Sequence, residues 1–312
     1  MTRHTLFALA LVQVGCMETS LSKLATDAAS MDTGERMDIG EEPEEEEHED
    51  EEEREGENNI EEPEEDEYEE PPPEDDCDET SDLIYVIDRT EASMYLFDPE
   101  TLSFDFLGEL DCGIWAGTPG SMSVTRDGTA YVRYSDNTVY AVDLETMDCS
   151  ETTYESGSFG AFGMGYATNS GATWRDKLYI ANANRLAVVD TADWSVSHMG
   201  NLPSQSELTG NAEGELWAML PLETPAKLVR LNKNTASVQE TLILSGTPSP
   251  YDIDAFAFAT WGGDFWVFIR TYGMGQTTDV YRVTGSGSTS RVAVNTGMDI
   301  VGAGVSTCAP TD

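Results

Sequence analysis

After residue 81 the chain alternates short apolar runs with clusters of Gly, Asn, Asp and Thr, and apolar positions recur at every second residue. A period of two is typical of β-strands that are buried on one face, and the polar clusters are typical of turns. The spacing of an amphipathic helix is missing from this part of the sequence. The pattern therefore predicts an all-β domain over residues 81–312.

One strand pattern, an aromatic residue between apolar neighbours, repeats at intervals of 38 to 49 residues. The aromatic residues of the five copies are Tyr85, Tyr131, Tyr179, Trp217 and Trp266. Each copy is followed by a second apolar strand that ends in Asp, Asn or Thr, and such a side chain starts a turn by bonding the backbone two residues on. The interval is typical of propeller blades, so the pattern predicts five blades built on hairpins.

Segments of small residues precede four of the five aromatic strands, and small side chains fit where strands converge on an axis. The first aromatic strand has no such segment before it, whereas Gly302-Ala303-Gly304-Val305 follows the last blade. This displacement is expected when the C-terminal strand completes the first blade and leaves no exposed edge. We therefore expect a β-propeller of five four-stranded blades, with residues 302–305 beside residues 84–87. An open β-sandwich is the alternative.

Residues 1–15 read as a signal peptide, with a short cationic start, an apolar run and a small residue at the end. Val14-Gly15-Cys16 resembles a bacterial lipobox, in which the cysteine is lipidated and becomes the mature N-terminus, although Gln13 stands where that pattern usually has Leu. Lipidation of Cys16 is the expectation, and plain secretion is the alternative. By the same resemblance, Met17 favours the outer membrane.

Residues 16–80 are predicted to be an acidic linker. Between Glu41 and Thr80 there are 26 acidic residues against one arginine, and aliphatic side chains are scarce. Such a segment cannot offset the entropy of ordering, so we expect it to be disordered. A flexible chain of this length spans roughly 45 Å, which suits a spacer. Capture of Ca²⁺ or of a basic partner by the polyacid is the alternative.

Four cysteines remain if Cys16 carries lipid, and an even number in an oxidising compartment suits two disulfides. Cys308 leaves the closing strand where Cys77 approaches the first blade, so these two are expected to pair. Cys112 and Cys149 then pair by elimination. A zinc site is not expected, because the cysteines form no CxxC pair and have no histidine nearby.

The charge and the motifs of the chain exclude several classes of function. The net charge is −44, and residues 81–312 contribute 29 acidic and 12 basic residues with no basic stripe, so nucleic acid is not an expected partner. The domain has one histidine, His198, and contains neither a Gly-x-Ser-x-Gly elbow nor a phosphate-binding glycine motif. We therefore expect a monomeric, non-enzymatic binding or scaffold module that meets a protein or glycan at the cell surface. Trp261 and Trp115 lie in connections and are the candidate ligand contacts.

Three carboxylates could give the domain a cation site. Glu207, Asp254 and Asp299 each lie where the chain leads into an inner strand, and we expect them around one mouth of the central channel. Neighbouring carboxylates either bind a cation such as Ca²⁺ or have raised pKa values; otherwise they are solvated loop acids. Some calcium-dependent propeller lactonases follow this plan, although their six blades and Asn-containing ligand set are not matched. A calcium-dependent hydrolase is thus one alternative function, and a purely structural envelope protein is another.

The acidic stalk, the repeat and the terminal Val305-Ser306-Thr307-Cys308 together resemble a group of uncharacterised bacterial surface lipoproteins. The resemblance covers the chain from about residue 81 to its end. It implies a propeller fold and a location at the cell envelope, and it transfers no catalytic residue.

Overall fold

A computed structural model describes Cys77 and residues 82–113, 117–157, 159–169 and 176–312. These residues form five four-stranded antiparallel sheets arranged as the blades of a β-propeller, which confirms the predicted fold class. The predictions for the signal peptide, for Cys16 and for the acidic linker before Cys77 lie outside the described residues.

Each sheet runs from an inner strand at the channel to an outer strand at the rim. Blade 1 contains β1 (Ile84–Asp88), β2 (Ser93–Asp98) and β3 (Ser103–Glu109). Blade 2 contains β4 (Pro119–Val124), β5 (Thr129–Tyr134), β6 (Val139–Asp143) and β7 (Cys149–Glu151). Blade 3 contains β8 (Gly163–Thr168), β9 (Asp176–Ala181), β10 (Arg185–Asp190) and β11 (Ser195–Asn201).

Blade 4 contains β12 (Glu207–Gly210), β13 (Leu216–Leu220), β14 (Lys227–Leu231) and β15 (Val238–Ile243). Blade 5 contains β16 (Ile253–Trp261), β17 (Asp264–Thr271), β18 (Asp279–Val283) and β19 (Thr289–Ala293), and a short 3-10 helix, Pro250–Asp252, leads into it. The last strand, β20 (Ile300–Gly304), is the inner strand of blade 1. Among the described residues, no helix has the length and apolar content needed to cross a membrane.

The predicted hairpin turns are present at the end of the third strand of the blades. The Oδ1 atom of Asp98 accepts a hydrogen bond from the N–H of Glu100 at 2.7 Å. Asp143, Asp190 and Asn232 accept the corresponding bond from the residue two positions on, each at 3.0 Å. A side chain that satisfies a backbone N–H at this point stabilises the turn, so the repeated polar residue sets where each hairpin ends.

Ring closure occurs as the order of the repeats predicts. β20 runs antiparallel to β1, with Val86 opposite Ala303 and Ile87 opposite Gly302. The strand spans residues 300–304, so it begins two residues earlier than the predicted segment. Val305 lies just beyond it and is buried. The inner strands contact one another in the order β4, β8, β12, β16, β20 and back to β4, so the ring has no open edge.

The hydrophobic core of the described residues lies between the blades, in five clusters that each join two neighbouring blades. Trp266 is buried, and its ring lies 5.4 Å from the ring of Phe97 in blade 1. Trp217 of blade 4 lies 4.7 Å from Phe265 of blade 5. The repeated aromatic position thus packs blade against blade, since a large ring can fill the wedge between two twisted sheets.

Close approach of the inner strands explains the small residues that precede the aromatic strands. A Cβ atom added to Gly302 would lie 2.2 Å from the carbonyl oxygen of Gly120 in β4. A Cβ atom on Gly165 would lie 2.8 Å from the carbonyl carbon of Leu208 in β12. Both distances are too short for non-bonded atoms, so these positions must be glycine for the inner strands to meet.

Two disulfides join the four cysteines in the expected pairs. Cys77 is bonded to Cys308, 231 residues later, with their Cα atoms 5.8 Å apart. Cys112 is bonded to Cys149, with their Cα atoms 5.0 Å apart. The first bond links the segment before blade 1 to the segment after β20, so it reinforces the closure of the ring covalently.

Candidate functional site

A cavity of about 250 Å³ opens at one mouth of the channel, where the inner strands begin. Its walls come from the starts of β4, β12, β16 and β20 and from the turns that follow β1 and β5. Its lining includes the charged residues Arg89, Arg133, Glu207 and Asp254, together with Gly120 and Val301. The cavity is smaller than most ligand pockets. It is concave and brings a few polar groups together, and both features are typical of ligand-binding sites.

Glu207, the first residue of β12, is held by hydrogen bonds on the neighbouring inner strands. The hydroxyl of Ser121 donates to its Oε2 atom at 2.7 Å and accepts from the N–H of Met164 at 2.9 Å. Glycine at position 163 makes room for the carboxyl, since a Cβ atom there would lie 2.7 Å from Oε2. Three successive inner strands therefore fix the position of this side chain.

Burial raises the pKa of the Glu207 carboxyl to about 8, although the hydrogen bond from Ser121, the charge of Arg133 and the N–H of Met164 act to lower it. Desolvation disfavours the charged form of an acid, and here it outweighs the favourable contacts. At neutral pH most molecules therefore carry Glu207 as a neutral acid, which can donate a hydrogen bond as well as accept one.

Arg133, on β5, is bound through backbone carbonyls. Its Nε atom donates to the carbonyl of Phe162 at 2.8 Å and its Nη1 atom to the carbonyl of Tyr134 at 3.0 Å. No carboxylate of the described residues forms an ion pair with this guanidinium. Burial lowers the pKa of Arg133, yet an arginine side chain remains charged at physiological pH.

Asp254 and Asp299 are paired with two arginines on the other side of the mouth. Arg89 contacts Asp299 with its Nη2 atom at 2.8 Å and Asp254 at 3.4 Å. Arg270 forms an ion pair with Asp254 and lies 3.4 Å from Asp299. The N–H of Asp299 donates to Asp88 at 3.1 Å. Two aspartates and two arginines thus form a compact network in which the charges compensate one another.

The three predicted acids lie at the predicted mouth, but they do not form a common set of cation ligands. Glu207 faces Ser121 on its own side, whereas Asp254 and Asp299 face Arg89 and Arg270. Among the residues that the structure describes, no three His, Cys, Asp or Glu side chains are grouped so as to hold a metal ion. The cationic groups next to Asp254 and Asp299 are the guanidinium groups of Arg89 and Arg270.

Trp261, one of the two predicted aromatic contacts, lies away from the channel mouth. Trp261 is at the end of β16 opposite to Asp254, and its indole N–H donates to the carbonyl of Asp82 at 2.7 Å, next to the core between blades 5 and 1. Trp115 lies outside the described residues. His198 is exposed on the outer strand β11. Neither Trp261 nor His198 lines the cavity at the channel mouth.

Sequence reasoning missed the arginines at the mouth. Arg89, Arg133 and Arg270 all lie at or just after the end of the second strand of a blade, two to four residues after the repeated aromatic. Basic residues near the same point of three repeats, in a domain with few bases, are a signal that is present in the sequence. Two wider depressions lie around Asp176, in blade 3.

No protein-family model and no curated protein matches this chain. The fold is similar to a chain of a nidogen–laminin complex, which is 10% identical with a TM-score of 0.45, over 73% of this chain and 99% of that one. It is also similar to a protein of unknown function from Bacteroides caccae, at 10% identity and a TM-score of 0.41, over 71% of this chain and 97% of that one.

A further similar structure is a protein of unknown function from Bacteroides thetaiotaomicron, at 12% identity and a TM-score of 0.44, over 69% of this chain and 56% of that one. At these identities and TM-scores, nothing about a ligand or an activity follows from the likeness.

Proposed function

We propose that this protein is an exported, non-enzymatic binding module that takes a small polar ligand at the channel mouth. The observation that carries the proposal is the cavity of about 250 Å³, lined by polar side chains that are fixed before any ligand arrives. Preorganisation of this kind reduces the entropy lost on binding, so even a small ligand can gain useful affinity.

Binding is favoured over catalysis by the way in which the polar groups are used. The hydroxyl of Ser121 donates to Glu207 and accepts from the N–H of Met164, so it is engaged in holding a side chain and a neighbouring strand. The Glu207 carboxyl beside it is mostly protonated at neutral pH, and a protonated acid does not take up the proton of a hydroxyl. Arg89 and Arg270 are engaged with Asp254 and Asp299. The mouth therefore offers a rigid polar surface for recognition.

An exported location is supported by the two disulfides, because such bonds persist in oxidising compartments. In this proposal, Cys16 carries a lipid anchor and residues 16–80 are the spacer that holds the domain away from the membrane. Mass spectrometry of the mature N-terminus should find a diacylated or triacylated Cys16. An unmodified N-terminus at another residue would exclude the anchor.

The binding proposal is tested with the full chain and a panel of neutral sugars, sugar acids, amino acids and small organic acids. At least one compound should raise the melting temperature, because a ligand at a hundred times its Kd stabilises the native state by about 2.7 kcal/mol. Gln205→Trp should abolish this shift, since Gln205 is exposed at the rim of the cavity and an indole there would cover the opening.

Gln239→Trp is the matched control, because Gln239 is exposed on the outer strand β15 of the same blade, away from the mouth. It should leave the ligand-induced shift unchanged. A panel without any stabilising compound, or shifts that persist in Gln205→Trp, would contradict binding at the channel mouth.

A further inference from the structure

The guanidinium of Arg133 differs in its contacts from the other arginines at the mouth. Arg89 and Arg270 each contact Asp254 and Asp299, whereas Arg133 is held by two backbone carbonyls and has no ion-pair partner among the described residues. A partly buried charge without a counter-ion is costly, because carbonyl dipoles replace only part of the lost hydration. An anion in the cavity would compensate this charge.

Glycine at position 120 keeps one edge of this guanidinium open to the cavity. A Cβ atom on Gly120 would lie 2.7 Å from the Nη2 atom of Arg133, so any other residue would cover or displace that nitrogen. Nη2 takes part in no hydrogen bond with the described residues, whereas Nε and Nη1 are both used. The group that is left free is therefore the one that adjoins the cavity.

Glu207 lines the same cavity and supplies a second kind of contact. Its carboxyl receives one hydrogen bond from Ser121 and is close enough to Arg133 for the two to influence each other's pKa. While it is protonated, it does not neutralise Arg133, and its O–H can donate to an acceptor on a ligand. A guanidinium beside a neutral carboxylic acid is a suitable pair of donors for a carboxylate.

We infer that the channel mouth binds small organic carboxylates through the guanidinium of Arg133 next to Glu207. This inference rests on the proposed binding function and names its ligand class. A monoanion matches the single unpaired guanidinium, whereas a phosphate dianion would add a second negative charge near Asp254 and Asp299. The volume of about 250 Å³ suits compounds between lactate and a sugar acid in size.

Binding should be coupled to the protonation of Glu207. The groups that face this carboxyl are Ser121 on β4, the N–H of Met164 on β8 and Arg133 on β5, with Arg89 and Asp254 farther along the same cavity. Above the pKa of about 8, Glu207 becomes an anion that neutralises Arg133 and repels a carboxylate. Affinity should therefore be highest below pH 7 and fall as the pH rises through 8.

The test measures Kd by calorimetry on the full chain for lactate and D-glucuronate, with lactamide and glucose as uncharged counterparts and inorganic phosphate as the competing anion. For the wild type, the Kd of the carboxylates should rise about thirtyfold between pH 6.5 and pH 9.5, since roughly 3% of Glu207 is protonated at the higher pH. Glu207→Gln should remove the pH dependence, because the amide stays neutral and does not become an anion at pH 9.5.

Arg133→Gln should weaken carboxylate binding at pH 6.5 about tenfold or more, because a charge-assisted pair is lost. Arg230→Gln is the matched control, since Arg230 lies in blade 4 against Glu215 and Glu240, and it should change Kd less than about twofold. If Arg133→Gln fails to fold, Gly120→Ala displaces the same guanidinium with the arginine retained, and it should weaken binding in the same direction.

Equal affinity for the uncharged counterparts, tighter binding of phosphate, or an unchanged Kd in Arg133→Gln would overturn the carboxylate inference. The proposed binding function would still stand in each of these cases if Gln205→Trp blocks the binding that is seen. If no compound of the wider panel binds, both proposals fail. Selective carboxylate binding with the expected pH profile supports both.

Discussion

Deletion of residues 300–312 is expected to unfold the whole domain. The deleted segment contains β20, which is the inner strand of blade 1 and contacts the inner strands of blades 2 and 5. Ile300, Ala303, Val305 and Ala309 are all buried in the cluster between blades 5 and 1. Without this segment, β1 would expose a strand edge and the ring of inner strands would be interrupted between blades 5 and 2. In a closed ring every blade is covered by a neighbour on each side, so a ring that has been opened leaves blade faces exposed to water.

Circular dichroism and urea denaturation measure this effect, which should appear as a loss of the cooperative transition. The deletion also removes Cys308, so the variant carrying Cys77→Ser and Cys308→Ser is the necessary control. That variant should remain folded and lose about 2–4 kcal/mol in the free energy of unfolding, the usual contribution of a native disulfide. A truncated chain that unfolded cooperatively at the wild-type midpoint would show that β20 does not close the ring.

Gly302→Val should destabilise the domain by at least about 4 kcal/mol, which is exceptional for one substitution. The added Cβ atom would lie 2.2 Å from the carbonyl oxygen of Gly120 and 3.2 Å from its carbonyl carbon. Both atoms belong to the backbone of β4, an inner strand that cannot move without widening the channel and separating the blades. Overpacking against backbone is more costly than against a side chain, which can change its rotamer.

The matched control for this substitution is Gly108→Val in the outer strand β3, at the rim of the same blade. There a Cβ atom would meet Met147 at 2.8 Å, and the flexible methionine side chain can move aside. This variant should lose about 1 kcal/mol or less, because valine otherwise suits a β-strand. Similar urea midpoints for the two variants would mean that the inner strands are not packed as closely as the structure places them.

Much of the candidate site could be located from the sequence, because the propeller repeat itself indicates where the channel mouth lies. Glu207, Asp254 and Asp299 share a position at the start of three inner strands. In the structure Glu207 and Asp254 line the cavity at the mouth, and Asp299 lies next to it in contact with Arg89. The cation hypothesis followed from their like charges. It did not take into account Arg89, which contacts Asp299 although the two are 210 residues apart in the chain.

The strands, the turns and the closure of the ring could be predicted from the amino-acid sequence alone. These features depend on local periodicity, on side chains that bond a backbone two residues away, and on the order of repeats along one chain. Which charged side chains meet at the mouth depends on the packing of the blades. Asp254 and Asp299 are paired with Arg89 and Arg270, while Arg133 is left beside a neutral Glu207. The physical reason is that ion pairing and desolvation depend on distances of a few ångströms between side chains from different blades, and these distances are set by how the blades pack around the axis.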